Sequence, residues 1–390
     1  MPSCRPLLYA RRLPACAALL VSCCLLLACS SCLNPAAAAG KSPRKFSLMS
    51  YNVQTLFDPL DNGNEYSDFL LSAGSWSEAV YRQRLRALAV LVEAAVKDGP
   101  DILVLVEIEN ETVLADFAAQ LGGYPYLVCA PDSASALRCG LLSRFPVRAA
   151  RAHLAEVPSA VSAPRYMLEV ELDVYGLPLL VLAAHWKSKL GGAAETELQR
   201  QEAALLAAAV LRQRLAERPG LAYVLAGDLN ENPDEYSRAG KSYTTALMPC
   251  AAGNGPWLRL CSDSTLVANT TAAESNVSTT ITAPSEPAGY SGNSPEPVSL
   301  LLYSPWDEAG GYSYRYGGLD ERIDHLLFAP SMLSSHPAAE PALLFQSFSA
   351  QPPSFAVSES GTPLAWRSGQ SGGYSDHLPV YAMLEWWPGR

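Results

Sequence analysis

Two short runs constrain this chain more than any other feature: Asp-Ile-Leu-Val-Leu-Val at 101–106 and Ala-Tyr-Val-Leu-Ala at 222–226. Apolar runs of this length, without alternation, suit strands covered on both faces. Each ends on an acid. Glu107 follows the first, and Gly227-Asp228-Leu229-Asn230 follows the second. A carboxylate at the end of so apolar a strand is costly to desolvate unless it is paired or bound to a cation. The chain must therefore cover two central strands and gather polar groups where they stop.

The remaining pattern supplies the cover. Phe46–Val53, Tyr126–Cys129, Leu137–Ser143, Met167–Val174, Leu179–His185, Tyr312–Tyr316, Arg322–Phe328 and Leu378–Glu385 read as strands. Glu78–Lys97, with Arg82, Arg84 and Arg86 among its apolar positions, Glu111–Leu121 and Ala194–Leu215 read as helices. The 167–174 and 179–185 strands join through Gly176 as a hairpin, so the sheets mix parallel and antiparallel pairs, with helices outside. Residues 236–298 are dominated by Ser, Thr, Gly, Pro and Asn and read as a loop-rich insertion. Its Asn269 and Asn276 sequons read as polar loop.

The first 45 residues have a different character. Arg5, Arg11 and Arg12 precede an uncharged run, Ala15–Ala28, of about 14 residues. That is short of the roughly 20 that span a bilayer and has the form of an export signal. Leu26-Leu27-Ala28-Cys29 resembles a bacterial lipobox, in which Cys29 becomes the acylated first residue; Leu20-Val21-Ser22-Cys23 also fits, and ordinary cleavage near Ala37–Ala39 is the third possibility. The reading divides the chain into a signal at 1–28, a tether at 29–45 and one domain at 46–388. It places the protein in the cell envelope on a lipid anchor, or else secreted, as a monomer.

Net charge is −10, and loss of 1–28, with three arginines and no acid, takes it to −13. That balance argues against a broad basic nucleic-acid face but leaves a nucleic-acid substrate open, since a metal ion in the site would supply local positive charge. Beyond the first 45 residues only Cys129, Cys139, Cys250 and Cys261 remain, with no zinc-type spacing. The local pairings Cys129–Cys139 and Cys250–Cys261 need the least loop closure.

Other polar residues share the strand-end position. His185, in His-Trp-Lys-Ser-Lys, ends one apolar strand, and Ser375-Asp376-His377 precedes the last. Asp228 and Asn230 alternate on an extended chain and can face one pocket, where a carboxylate can take a proton from water.

Seven segments, in order, carry a resemblance: Ser-Tyr-Asn52-Val, Val-Glu107-Ile-Glu, Leu-Ser-Arg144-Phe-Pro-Val, His185-Trp-Lys187-Ser, Gly-Asp228-Leu-Asn230, Arg-Ile-Asp324-His and Ser-Asp376-His377. Together they resemble the endonuclease/exonuclease/phosphatase superfamily, across roughly 46–235 and 300–388. The resemblance implies a deoxyribonuclease I-like, four-layer α/β/β/α sandwich with its site at one rim. It implies a divalent metal, Mg²⁺ or else Mn²⁺ or Ca²⁺, held by Glu107 with Asn52 and Asp376 nearby. Asp228 would align or deprotonate the attacking water, and Asn230 would orient the phosphate. His377, held by Asp324, and His185 would face the phosphate. Gln54 stands where abasic-site nucleases carry Asp, and Arg165 lies where deoxyribonuclease I carries a Glu partner for the histidine matching His185.

Arg144, Arg165, Lys187, Lys189 and Arg322 lie in or beside these segments and are expected to form a local basic rim for substrate. The leading expectation is a phosphodiesterase acting on DNA or RNA. The alternatives are a sphingomyelinase- or phosphoinositide-phosphatase-like enzyme acting on phospholipid, and a surface-binding lipoprotein that is catalytically silent. A lipid enzyme would need an exposed apolar or aromatic loop, and only Tyr312, Tyr314 and Tyr316 offer one.

Overall fold

The run at 102–108 is the central strand of one of two facing sheets. The computed structural model describes residues 5–6, 42–155, 165–251, 258–262, 300–333, 340–367 and 372–389. The first sheet has six strands, in the order β16 (Ala342–Ser349), β17 (Val380–Trp387), β2 (Arg44–Leu56), β3 (Ile102–Ile108), β5 (Arg138–Ser143) and β4 (Tyr126–Cys129). The second has nine: β1 (Arg5–Pro6), β6 (Val147–Leu154), β7 (Tyr166–Val174), β8 (Leu177–His185), β9 (Ala222–Asp228), β15 (Asp324–Phe328), β12 (Leu300–Tyr303), β11 (Leu258–Cys261) and β10 (Leu247–Pro249). Both are mixed: β2 runs parallel to β3, and β8 parallel to β9, within otherwise largely antiparallel pairings.

Two cores define the layers. Between the sheets, Phe46, Leu48, Ile102, Val104 and Val106 meet Leu168, Val170, Val181, Val224 and Leu326. On the outer face of the six-stranded sheet, Met49, Tyr51, Leu103 and Leu105 pack against helices α1 (Glu78–Ala95) and α2 (Glu111–Leu121) through Tyr81, Leu85, Leu88, Leu114 and Phe117. Helix α3 (Glu197–Glu217) covers the other sheet with Ala204, Ala207, Ala208 and Leu211. Its Arg214 binds the buried Glu169 of β7 at 2.7 Å. The result is the four-layer α/β/β/α sandwich. The α1 stripe Tyr81, Leu85, Leu88 and Val92 has helical spacing, and Ser77 caps its start by accepting from the Val80 N–H.

Several expectations need correction. Residues 239–262 are not all loop: β10 and β11 lie inside the expected insertion and extend the nine-stranded sheet. The sequons at Asn269 and Asn276 lie outside the described residues, as do Ala15–Ala28, Cys23, Cys29 and Ala37–Ala39. Cys129 and Cys139 are free thiols. Cys129 stands opposite Gly140, so Cys139 points to the other face of the sheet: Cys139 packs between the sheets and Cys129 against the helical side. No bridge can join them there. Cys250 is also a free thiol, so the Cys250–Cys261 bridge is not formed. Among the described residues, no helix is long and apolar enough to cross a membrane.

Candidate active site

The inner faces of both sheets turn polar at the same end. On β8, β9 and β15 the inward positions run Val181, Ala183, then His185; Val224, Ala226, then Asp228; and, reading backwards, Phe328, Leu326, then Asp324. His185 and Asp324 both stand in register with Asp228. On β2 the inward series Phe46, Leu48, Ser50 ends at Asn52. Period-two alternation therefore puts Asn52, His185, Asp228 and Asp324 beyond the apolar core on facing surfaces.

Glu107 arrives differently. Val106 and Ile108 pair with consecutive β5 residues, Cys139 and Arg138, so Glu107 is an extra residue with φ of 68°. This bulge switches the strand's faces: Val106 packs between the sheets, and Ile108 on the helical side. It also aims the Glu107 carboxylate into the rim. The facing stretch of β2 is irregular too, with Gln54 at φ 55° and Thr55 at φ 51°. The backbone N–H of Thr55 donates to Glu107 Oε2 at 2.7 Å.

Asn52 joins the two sheets, its Nδ2 donating to Glu107 Oε1 at 3.1 Å and to Asp228 Oδ2 at 3.0 Å. His185 Nε2 lies 3.6 Å from Asp228 Oδ2 and 3.8 Å from Glu107 Oε1. These carboxylates are the neighbours that sequence alone could not name, and Nδ1 has no partner among the described residues. Nδ1 of His377 lies 2.7 Å from Asp324 Oδ2, and its Nε2 lies 3.9 Å from Asp228 Oδ2. Ser375 Oγ donates to the Asn52 carbonyl at 2.7 Å, which fixes the 375–377 turn against β2. Asn230 does not continue an extended chain. It adopts φ 52°, its N–H donates to Asp228 Oδ1, and its Nδ2 donates to the Trp186 carbonyl. Gly227 is required here: a Cβ would meet the Ala184 carbonyl oxygen at 1.8 Å.

Burial and neighbouring charge divide the protonation states. Burial, then the Asp324 charge, raise the Asp228 carboxyl to about 7 against the pull of His377. For His377, burial opposes the charge, but the Asp324 charge and hydrogen bond outweigh it and lift the imidazole well above its ordinary value. Burial, then Arg165 and His377, hold His185 well below its ordinary value. The site thus presents one charged and one neutral imidazole to the same carboxylate.

The donor set fits a hard divalent cation. Burial raises the Asp376 carboxyl, and the Glu107 charge adds to it against the pull of His377; among the described residues no Lys or Arg side chain is bonded to either carboxylate. With Asn52 beside them, they are the oxygen donors such an ion requires. Asp228, Asp324 and His377 also offer ligand atoms within 4.8 Å of one another, but Asp324 already occupies His377 Nδ1.

The basic rim is smaller than expected. Arg144 lies at the opposite end of the strands, its N–H donating to the Asp101 carbonyl and its guanidinium 3.5 Å from the Asp101 carboxylate. Because β5 runs antiparallel to β3, the end of β5 and the end of β3 lie on opposite rims. Lys189 is engaged by Glu235 and Glu321, and Arg322 by Asp307. Arg165, which donates to the Trp186 carbonyl, and Lys187 remain beside His185.

Two contributors were not placed at the reacting centre from sequence, where Tyr314 was weighed only as part of a lipid-facing aromatic loop. Arg84 of α1 is buried, its guanidinium donating to the carbonyls of Val53, Gln54 and Thr55 and stacking on Trp366 at 4.5 Å. Its signal was present: it sits within the stripe Tyr81, Leu85, Leu88. Tyr314, in the hairpin β13 (Tyr314–Tyr316) and β14 (Leu319–Glu321), stacks on His377 with ring centroids 4.5 Å apart, and Tyr316 stacks on Tyr314 in turn.

A carboxylate and imidazole cluster at the rim of two facing mixed sheets defines the class of phosphoester hydrolases. The chain belongs to the endonuclease/exonuclease/phosphatase family, whose model matches residues 47–246. Asp324, Asp376 and His377 lie beyond that span and reach the site through the fold. No curated protein matches the sequence. Similar solved structures include truncated Caenorhabditis elegans TDP2, at 16% identity over 87% of this chain and 97% of that one, TM-score 0.45. A Bacteroides thetaiotaomicron mannosyl-6-phosphatase matches at 15% identity over 87% and 99%, TM-score 0.47. Sphingomyelinase C from Streptomyces griseocarneus matches at 17% over 87% and 99%, TM-score 0.47.

Proposed function

We propose that this protein is an exported, Mg²⁺-dependent phosphodiesterase that cleaves nucleic acid. The carrying observation is the convergence on Asp228 of a charged imidazole, a neutral imidazole and, through Asn52, the Glu107 carboxylate. Bound by Glu107 and Asp376, with Asn52 beside them, Mg²⁺ would polarise the phosphoryl oxygens and offset their charge. Asp228, held near neutrality in its protonation, takes the proton of the attacking water, an effect worth about 10²–10⁴ in rate. His377 donates from Nε2 to a phosphoryl oxygen as charge develops, and Asp324 fixes its orientation. Asn52 keeps Glu107 and Asp228 in register, and Asn230 ties the 185–187 loop to β9.

The ladder His377–Tyr314–Tyr316 supports a nucleic-acid substrate, because stacked rings leading from the reacting centre suit a base. A lipid substrate is the second reading, favoured by the hairpin tip, where Tyr316 is 71% and Leu319 66% exposed. The test assays plasmid DNA, RNA, sphingomyelin vesicles and phosphoinositides side by side with Mg²⁺, Mn²⁺ or EDTA. DNA cleavage that EDTA and Glu107→Gln abolish is expected. Vesicle hydrolysis without cleavage of either nucleic acid would reverse the ranking, and no turnover of any substrate would leave a silent binding protein.

A further inference from the structure

Beside His185 the rim opens into a cleft of about 370 Å³. Its charge is opposite to that of the site it adjoins. Arg165 and Lys187 line it, and among the described residues no Asp or Glu does. The reacting centre next door holds Glu107, Asp228, Asp324 and Asp376. The two cations are half-buried, and neither forms an ion pair among the described residues. On a chain of net charge −10, where Lys189, Arg200, Arg214 and Arg322 all have carboxylate partners, two adjacent cations without one among the described residues stand out.

The two also repel each other. Burial, then Arg165, then Arg200 lower the Lys187 amine from its ordinary value. A bound anion would relieve that repulsion. The rest of the lining suits more than a bare ion. Tyr66, 47% exposed, Tyr166 and Trp186 also line it, and Gln199 contributes a carbonyl oxygen with no partner among the described residues. The volume lies in the range of small-molecule sites and exceeds what one phosphate fills. His185 lines both the cleft and the reacting centre, so a ligand spanning the two passes directly over it.

We propose that this cleft is a second-phosphate subsite, in which Arg165 and Lys187 hold the phosphate one nucleotide away from the scissile one and the Tyr66 side accommodates the intervening nucleoside. The subsite rests on the nucleic-acid reading above. It goes beyond that reading by naming the part of the substrate that is recognised and the residues that recognise it. Acidic and basic halves of the rim then divide the work: one takes the cation and the reacting phosphate, the other the neighbouring phosphate. Charge-assisted bonds from two cations in a partly desolvated cleft are worth about tenfold or more in affinity.

The test is calorimetric titration of the full protein at saturating Mg²⁺ with thymidine 3′,5′-bisphosphate and with each thymidine monophosphate. The bisphosphate should bind about tenfold tighter than either monophosphate or better, with the margin shrinking as salt rises. Lys187→Ala and Arg165→Gln should each reduce the ratio between bisphosphate and monophosphate. The ratio is internal to each variant, so a change in overall affinity does not enter it. Circular dichroism checks folding, and Lys187, whose side chain donates no hydrogen bond among the described residues, keeps the test open if Arg165→Gln unfolds. Equal binding of the three ligands by the wild type, or a preference that survives both substitutions, overturns the subsite. Plasmid cleavage measured on the same preparation tests the nucleic-acid reading separately. Cleavage without the preference removes only the subsite, whereas the preference without cleavage removes only the reading.

Discussion

Replacing Arg84 by Met should damage activity far more than stability. Arg84 is 1% exposed, and its guanidinium donates to the carbonyls of Val53, Gln54 and Thr55. Hydrogen bonds from a charged group are worth about 1.5–3 kcal/mol each. Against that stands the burial of the charge, an effective cost of several kcal/mol. Burial pulls the group down to about 9, offset in part by Tyr51, then Glu107 and Asp376, so it is charged at neutral pH. The two large terms oppose each other, and Met refills most of the volume, so the net change in stability should stay within about 2 kcal/mol. The local consequence is different. Gln54 and Thr55 sit at φ 55° and 51°, a conformation costing roughly 1–2 kcal/mol per residue, so about 2–4 kcal/mol of strain is released when the guanidinium goes. The turn then relaxes, and Thr55 N–H leaves Glu107 Oε2, which it holds at 2.7 Å. A misplacement of about 1 Å can cost on the order of 10² in rate. The assay is kcat/KM across a Mg²⁺ titration with the melting temperature in parallel. The expected result is a loss of about 10²-fold and a higher half-saturating Mg²⁺ concentration, with Arg84→Lys intermediate because one ammonium cannot reach three carbonyls. Wild-type turnover at limiting Mg²⁺, or a loss that tracks unfolding, would refute the reasoning.

Asp324→Ala and His377→Ala should each cut kcat severely, and the double variant should lose little more than the worse single, since groups acting as a unit are non-additive; additive losses would separate their roles. The buried cluster of Glu197, Arg200 and Glu231 sets two carboxylates against one guanidinium. Burial, then Glu197, raise Glu231 to about 8. A group raised in the folded state contributes stability that is complete below its unfolded value of about 4.3 and is lost as pH rises towards 8. Denaturant unfolding from pH 5 to 8 should therefore show declining stability, flattened in Glu231→Gln; an unchanged slope in that variant would place the proton elsewhere. For the export proposal, Cys29→Ala should release the protein from the membrane fraction. Release by Cys23→Ala alone would identify the other lipobox, and release by neither would remove the anchor.

How much of this was legible depended on direction as well as pattern. The helix Glu111–Leu121 and the strand Tyr126–Cys129 match their sequence boundaries, because a cap residue or a clean apolar run marks each. The strands β6 and β16 were missed: both pair on one side with a short strand or none, and Arg148 and Arg151, or Gln346 and Ser347, break the apolar signal. Alternation alone predicts that His185, Asp228 and Asp324 continue inner faces. It cannot reveal the bulge that turns Glu107, since one inserted residue leaves composition unchanged. The basic rim failed for a related reason. Nearness in sequence to a motif gives no strand direction, and on antiparallel β5 the residue after the strand's end, Arg144, falls some six residues of β3 away from Glu107, or about 20 Å. Nor does sequence show which cations find partners. Lys187 and Lys189 are two residues apart, yet Lys189 turns to Glu235 and Glu321, while Lys187 faces a cleft that no carboxylate lines among the described residues. Cation count near the motifs therefore overstated the electrostatic attraction for a polymer. The attraction that remains is concentrated at one point beside His185, which favours recognition of a single neighbouring phosphate over tracking along many.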